Sequence, residues 1–200
     1  MSALLPLFPL QLVVLPGNAV PLHIFEERYR EMVGQAESSG SEFGIVLAKG
    51  GGIVNVGCTV VVENVVNRYP DGRFDVLTRG KRRFLIESVN NELDWLRGDV
   101  TFFDDDDIAP VPNQLRQSVM NSFGFGPETA VADSERLSFL VAGMLDDLDF
   151  KNTLQVSRSE TERLRLLAVF LETWLPRQAY EAKMKRAVPT NGHGHKPAGI

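Results

Sequence analysis

The sequence predicts an α+β protein in which a small barrel-like sheet with one inserted helix is followed by a C-terminal helical bundle. Two observations carry this prediction. In the first half, short runs of β-branched and aromatic residues alternate with glycine, proline and aspartate turn signals, which is typical of strands. Beyond Pro112, apolar residues recur at spacings of three and four, which indicates helices instead.

Turn residues divide the first half into its strands. Pro16 and Gly17 mark the first turn, and Lys49–Gly52 forms a glycine-rich loop. Tyr69–Gly72 suits a hairpin, because proline and glycine supply the backbone angles of a tight turn, and Gly80 marks a turn or a bulge. The predicted strands are Leu7–Leu10, Val13–Leu15, Val20–Leu22, Phe43–Ala48, Cys58–Arg68, Arg73–Thr78, Arg83–Val89 and a last segment reaching Phe103.

One helix interrupts these strands. Tyr29, Met32, Val33 and Ala36 recur at helical spacing within residues 26–37. A single apolar stripe of this kind predicts an amphipathic helix that packs against the sheet.

The strand pattern stops at an acidic run, Asp104–Asp107, which is followed by Pro110 and Pro112. Four consecutive aspartates lack the alternating spacing of a calcium loop, so we interpret the run as a solvated linker. The predicted organisation is a β-rich subdomain, a helical subdomain and a disordered tail: residues 1–105, 106–188 and 189–200.

Three helices are predicted after this linker. The first covers Gln114–Phe123, Ser134 caps the second, and Ser159 with Glu162 forms a capping box for the third. Pro176 is expected to end or bend the third helix. The second and third helices carry these apolar stripes: Leu137, Leu140, Val141, Met144 and Leu145, then Leu164, Leu167, Ala168, Leu171 and Leu175.

Several short motifs occur in a fixed order along the chain: Leu4-Leu5-Pro6-Leu7-Phe8-Pro9-Leu10, Leu15-Pro16-Gly17, Pro21–Arg30, Phe43-Gly44-Ile45-Val46, Val56-Gly57-Cys58, Asp71-Gly72-Arg73 and Gly80–Phe84. This ordered set resembles the substrate-binding N-terminal domain of Lon proteases, and a thinner pattern including Glu162–Arg165 extends it towards residue 175. The resemblance implies a domain that recruits proteins for degradation. We therefore expect unfolded or damaged protein segments as partners, together with a protease, and the oligomeric state is left open.

Lon proteases also carry an ATPase module and a Ser-Lys proteolytic module, which 200 residues do not accommodate. The sequence has no G-x-x-x-x-G-K-[ST] phosphate loop. His23 is the one histidine inside the predicted fold, and we interpret it as structural, while His193 and His195 lie in the predicted tail. The expectation is a stand-alone recognition domain that is not an enzyme, with no catalytic residues, no cofactor and no metal.

Composition narrows the class of partner. With 21 basic and 26 acidic side chains, the chain would repel a polyanion, which argues against nucleic acid. RNA binding stays an alternative function, because basic residues lie near two hairpins and the predicted PUA-like barrel resembles a family of RNA-binding modules. A small-molecule sensor is a further alternative. The lone Cys58 is predicted to be a buried strand residue and suits a reducing compartment. No apolar run is long enough to cross a membrane, so we expect a cytoplasmic protein.

Five phenylalanines near the predicted junction between sheet and helices form the candidate protein-binding surface: Phe102, Phe103, Phe123, Phe125 and Phe150. The alternative is that these side chains form the core of the junction. An exposed protein segment could bind in two ways, either by adding a strand to a free sheet edge or by lying in an apolar groove between sheet and helices. The sequence does not choose between them.

Overall fold

The computed structural model describes residues 4–92, 94–107, 109–126 and 136–187, with the side chains of 185–187 left aside. Six strands with one inserted helix come first, and four further helices complete the described part. The elements in chain order are β1 Leu5–Leu10, β2 Ala19–Ile24, α1 Glu27–Ser39, β3 Phe43–Lys49, β4 Gly52–Arg68, β5 Phe74–Asn90, β6 Arg97–Phe103, α2 Asn113–Ser122, α3 Leu137–Gly143, α4 Leu148–Val156 and α5 Glu160–Ala187.

The six strands form one sheet in the order β2-β5-β4-β3-β1-β6. Strand β6 also pairs with β5, so the sheet closes on itself, while β2 pairs with β5 alone among the described strands. All neighbours are antiparallel except β1 and β3, which are parallel. The α+β prediction, with a barrel-like sheet and one inserted helix, is confirmed.

Strand β5 corrects one prediction, because Arg73–Thr78 and Arg83–Val89 belong to a single long strand. Gly80 lies in its middle, next to a register shift against β4, and therefore marks a bulge rather than a turn. The backbone of Gly80 bonds to Gly17 and Asn18 at 3.0 and 2.9 Å, and a Cβ at this position would collide with the Leu15 carbonyl oxygen. Glycine is needed at position 80 because the backbone of Leu15 lies too close to leave room for a side chain.

Helix α1 packs against the barrel. Its predicted stripe is buried, and the Tyr29 ring stacks on Phe8 with 4.1 Å between the ring centroids. The helix ends at Gly40, whose φ of 66° is the left-handed conformation that glycine adopts without strain. The apolar stripe thus fixes which face of α1 meets the sheet.

The helical part has its own apolar cluster, and three side chains from the barrel end contribute to it: Val13, Leu15 and Leu47. The predicted strand Val13–Leu15 is not a strand, because its backbone bonds elsewhere; the Val14 carbonyl accepts from Gln155 Nε2 at 2.8 Å. Helix α4 was missed, since its nine residues carry no long apolar stripe. The division into subdomains at residue 105 stays a prediction.

Helix α5 begins as the capping box predicts, because the Glu162 N–H donates to Ser159 Oγ at 3.2 Å. The helix does not end at Pro176, since α5 continues to Ala187, and the other alternative, a bend at this residue, stays a prediction. A proline removes one backbone donor, but the helix around it is exposed, so water can satisfy the freed carbonyl. The predicted cap Ser134 and the predicted tail lie outside the described residues.

The acidic run is not a solvated linker, which corrects a further prediction. The Asp105 carboxylate accepts from Arg83 Nη2 at 2.6 Å and from Arg163 Nη1 and Nη2 at 2.6 Å each. Arg163 also pairs with Glu160 at 2.7 Å. Asp104 pairs with Arg136, Asp106 with Arg158, and Asp107 with Ser159. We call the set Arg83, Asp105, Glu160 and Arg163 the ionic joint, because it ties β5 to α5; Asp105 is partly buried and the other three side chains are buried.

Candidate functional site

Three neighbouring pockets share lining residues around the end of β1, and together they are here called the β1 groove. The hairpin pocket, of about 690 Å³, lies in the middle, between Pro9 and the β3–β4 turn. It shares Pro9 and Leu96 with the α1 pocket, of about 470 Å³. At its other end it shares Gln11, Ala48 and Lys49 with the α4 pocket, of about 320 Å³. Adjacent pockets of this kind suit an extended ligand.

The hairpin pocket is shaped by the two-residue turn between β3 and β4. Gly50 and Gly51 have φ of 61° and 80°, the left-handed values that a tight hairpin of this type requires. Lys49 pairs with Gly52 on either side of the turn. Glycine at three successive positions leaves this wall of the pocket without side chains, and Ile53 and Leu96 supply apolar surface.

The α1 pocket combines aromatic surface with one fixed polar group. His23 Nδ1 lies 2.6 Å from Asp75 Oδ1, and the Tyr69 hydroxyl donates to Asp75 Oδ2 at 2.8 Å. The hydrogen bonds from His23 and then Tyr69 lower the pKa of Asp75, so this carboxylate is ionised and the Nδ1 of His23 is assigned as the donor. His23 stacks beside Phe25, a side chain that is 59% exposed.

The α4 pocket lies between the end of β3 and the start of α4. Asp147 caps this helix by accepting from the Phe150 N–H at 2.8 Å. Lys49 forms an ion pair with Asp149 across the pocket. Leu47, Ala48 and Leu148 are the apolar members of the lining, so this end of the β1 groove joins sheet and helices.

A separate pocket of about 280 Å³, here called the Arg82 pocket, lies where β5 and β6 meet the acidic run. The Arg82 guanidinium lies 3.8 Å from the centroid of the Phe102 ring, and it pairs with Glu42 at 2.9 Å. Arg83, unlike Arg82, is almost fully buried, since only 1% of its side chain is exposed. The full lining is Lys81, Arg82, Arg83, Phe102, Phe103, Asp104 and Arg136.

The five predicted phenylalanines occupy three places. Phe102 and Phe103 line the Arg82 pocket. Phe123 and Phe125 stack on each other after α2, and Phe123 also stacks near Trp174 of α5, with 6.4 Å between centroids. Phe150 stacks on Phe170 at 3.8 Å. Phe123, Phe125 and Phe150 are partly buried against the helical cluster. That the five form one protein-binding surface stays a prediction.

The sequence reasoning missed the β1 groove. Its residues come from β1, the β3–β4 turn, the segment before β6 and the starts of two helices, so they share no local pattern. One available signal was Phe25, a large aromatic residue placed between an edge strand and the polar start of α1.

Cys58 is fully buried in β4, as predicted. Burial raises the pKa of its thiol to about 12, which makes it an unreactive core residue. Over the described part of the chain, none of the helices has the length and apolar character needed to cross a membrane.

A closed barrel with an inserted helix, a helical extension and an open groove defines a binding domain. The family model for the ATP-dependent protease La (LON) substrate-binding domain matches residues 4–181. The chain belongs to this family, and it is a substrate-recognition domain of the Lon type, a non-catalytic domain class that binds protein substrates.

Two solved structures support the assignment. The crystal structure of a Lon N-terminal domain protein from Xanthomonas campestris superimposes with a TM-score of 0.71 at 25% identity, and the match covers 84% of this chain and 98% of that one. The N-terminal domain of a Mycobacterium avium complex Lon protease has the same fold, with a TM-score of 0.61 at 19% identity and coverage of 86% and 99%. The resemblance inferred from the motifs is confirmed.

Proposed function

We propose that the β1 groove is where this domain binds exposed apolar segments of protein substrates in an extended conformation. The observation that carries the proposal is that the three pockets are neighbours with shared lining residues: Pro9, Leu96, Gln11, Ala48 and Lys49. Each pocket alone is near the lower or middle part of the size range of small-ligand sites, about 300–1,000 Å³. Together they suit a chain segment rather than one compact molecule.

The free edge of β2 is less suitable for adding a strand. Thr78 Oγ1 donates to the Val20 carbonyl at 2.9 Å, so the backbone of Val20 faces β5. Because backbone polar groups alternate along an antiparallel strand, the neighbouring Pro21 faces outward. Proline has no N–H, which removes a donor that an added strand would need. This favours the groove over the edge.

The lining of the β1 groove suits promiscuous binding. Its middle is mostly apolar, with Gln11 and Lys49 where it borders the α4 pocket. The other charged groups lie towards the two ends, Asp149 at one and Glu26 and Arg28 at the other. Apolar contacts are not directional, so many different side chains fit. We propose unfolded or damaged proteins as the substrates, a protease that receives them as a partner, and a reducing compartment such as the cytoplasm as the location.

The test is to fill the groove with one side chain. A Cβ at Gly52 has no neighbouring atom within 4 Å, and Gly52 lines the hairpin pocket, so Gly52→Trp introduces an indole at this pocket. We expect the Kd for a fluorescein-labelled apolar peptide, measured by anisotropy, to rise about tenfold, which is about 1.4 kcal/mol. Thermal unfolding of the same variant checks that the fold is intact.

Gly34→Trp is the matched control, because Gly34 also has open space around its Cβ and lines none of these pockets. Its Kd is expected to stay within about twofold of the original value. If Gly52→Trp binds the peptide as the original chain does, the groove is not the binding site. ATP hydrolysis or peptidase activity in the purified chain would contradict the proposal that it is not itself an enzyme.

A further inference from the structure

The α1 pocket contains a histidine that has one ring nitrogen held by the protein and the other left for a ligand. His23 Nδ1 lies 2.6 Å from Asp75 Oδ1, whereas Nε2 has no hydrogen-bond partner within the described part of the chain. The side chain of His23 is 44% exposed and belongs to the lining of the pocket. A ligand in the pocket therefore meets a polar ring that is already oriented.

The partners of Asp75 determine what His23 offers to that ligand. The Tyr69 hydroxyl donates to Asp75 Oδ2 at 2.8 Å, so both carboxylate oxygens have a partner and the group is held in place. An ionised carboxylate only accepts hydrogen bonds, so Nδ1 of His23 carries the proton. In the neutral imidazole Nε2 is then an acceptor, and it can receive a hydrogen bond from a donor on the ligand.

The two charged members of the lining are paired with each other. Arg28 donates from Nε and Nη2 to Glu26 Oε2, at 3.1 and 2.8 Å. The same guanidinium lies 4.6 Å from the centroid of the Tyr29 ring. Because these two charges cancel within the pocket, the lining favours a neutral ligand over a charged one.

An exposed aromatic ring lies next to the histidine. Phe25 is 59% exposed, and its ring is stacked beside that of His23, with 5.9 Å between the centroids and 22° between the planes. An aromatic side chain that covers Phe25 removes apolar area from water. Its polar edge then comes close to His23, and a buried indole N–H or phenol O–H usually has a hydrogen-bond partner.

We infer that the α1 pocket selects substrate segments by an aromatic side chain that carries its own hydrogen-bond donor, tryptophan or tyrosine, and that His23 recognises this donor. The ring of the substrate covers Phe25, and its N–H or O–H donates to His23 Nε2. Phenylalanine covers the same surface but leaves Nε2 without a partner, so it binds more weakly. The inference rests on the proposed function, because the α1 pocket is one end of the β1 groove.

The experiment is a titration of the full chain with three blocked amino acids, followed by amide chemical shifts in NMR spectra. The probes are N-acetyltryptophanamide, its benzothienyl analogue and N-acetylphenylalaninamide. In the benzothienyl analogue a sulfur atom replaces the indole N–H at almost the same size, so the two probes differ chiefly in the donor. We expect saturable shifts around Phe25, with a Kd about fivefold higher for the benzothienyl analogue than for the tryptophan probe.

Two variants assign this difference to one side chain. His23→Phe keeps an aromatic ring and removes the acceptor, so the Kd values of the tryptophan and benzothienyl probes should agree within about twofold. Arg28→Gln is the matched control, because it changes a polar residue of the same pocket and keeps Nε2. The preference for the tryptophan probe should persist in it.

Equal Kd values for the two probes on the original chain would overturn the inference. A preference that persists in His23→Phe would do the same, as would shifts centred outside the α1 pocket. Peptide binding to Gly52→Trp tests the proposed function separately, because Gly52 lines the hairpin pocket and not the α1 pocket. If only the peptide test fails, the selectivity of His23 stands; if only the probes fail, binding in the β1 groove stands.

Discussion

The interior of the barrel and the ionic joint are buried to a similar extent but are built from different chemistry. Inside the barrel, Phe43, Val33 and Ile45 are at most 1% exposed and contact other apolar groups. In the joint, Arg83 and Arg163 are equally buried and contact carboxylates. Burial alone therefore does not tell how a position responds to substitution.

The barrel interior and the ionic joint differ in how well they tolerate substitution. Apolar contacts are additive and weakly directional, so a smaller side chain loses stability in proportion to what it removes. A buried ion pair is nearly balanced against its desolvation, but removing one member leaves the other charge buried without a partner. We expect substitutions in the barrel interior to lower the free energy of unfolding gradually, and substitutions in the joint to lower it sharply.

The largest expected effect breaks the joint. Arg163→Ala leaves Asp105 and Glu160 with fewer partners in a buried site, and it should lower the free energy of unfolding by about 3 to 5 kcal/mol. Urea denaturation measures the change. Arg165→Ala on the same helix is the control, because Arg165 is exposed and its loss should cost less than about 0.5 kcal/mol. Equal losses in the two variants would contradict the comparison.

A second test changes the charge of the joint by pH. Burial alone would raise the pKa of Asp105, but its hydrogen bonds and charge interactions with Arg163 and Arg83 outweigh burial and lower the pKa below its ordinary value of 3.8. Because the folded-state pKa is the lower one, this stabilisation is fully present above the ordinary value and is lost as the pH falls through the folded-state pKa.

We expect the urea midpoint of the original chain to fall more steeply below about pH 4 than that of Asp105→Asn, which has no charge to lose. Exposed acids with lowered pKa values, such as Asp71 and Glu63, are present in both proteins and cancel in the difference. Parallel curves for the two proteins would show that Asp105 does not contribute in this way.

The smallest expected effect on stability comes from a substitution in the interior of the barrel. Ile45→Val removes one methylene group from a filled interior and should lower the free energy of unfolding by about 1 kcal/mol. Val66→Ala, at a position that is 68% exposed, should change it by less than about 0.5 kcal/mol. A loss of several kcal/mol for Ile45→Val would mean that the barrel interior is as intolerant as the joint.

Local patterns predicted much of the fold. The stripe of α1, the Ser159 cap of α5 and the hairpin at Tyr69–Gly72 were all visible, because the residues that fix these features lie within a few positions of one another. Helix α4 was missed because it is short and depends on packing against other elements, of which the stacking of Phe150 on Phe170 of α5 is one example.

The sequence by itself determined the alternation of strands and helices, the order of motifs that identifies the family, and which face of α1 is buried. Only the tertiary structure decided the role of Asp105, since Arg163 lies 58 positions away along the chain. The same holds for the β1 groove, where Pro9 and Gly52 become neighbours through the closed sheet. Hydrophobic periodicity acts between near neighbours in sequence, whereas charge pairing and surface concavity depend on contacts that exist only after the chain has folded.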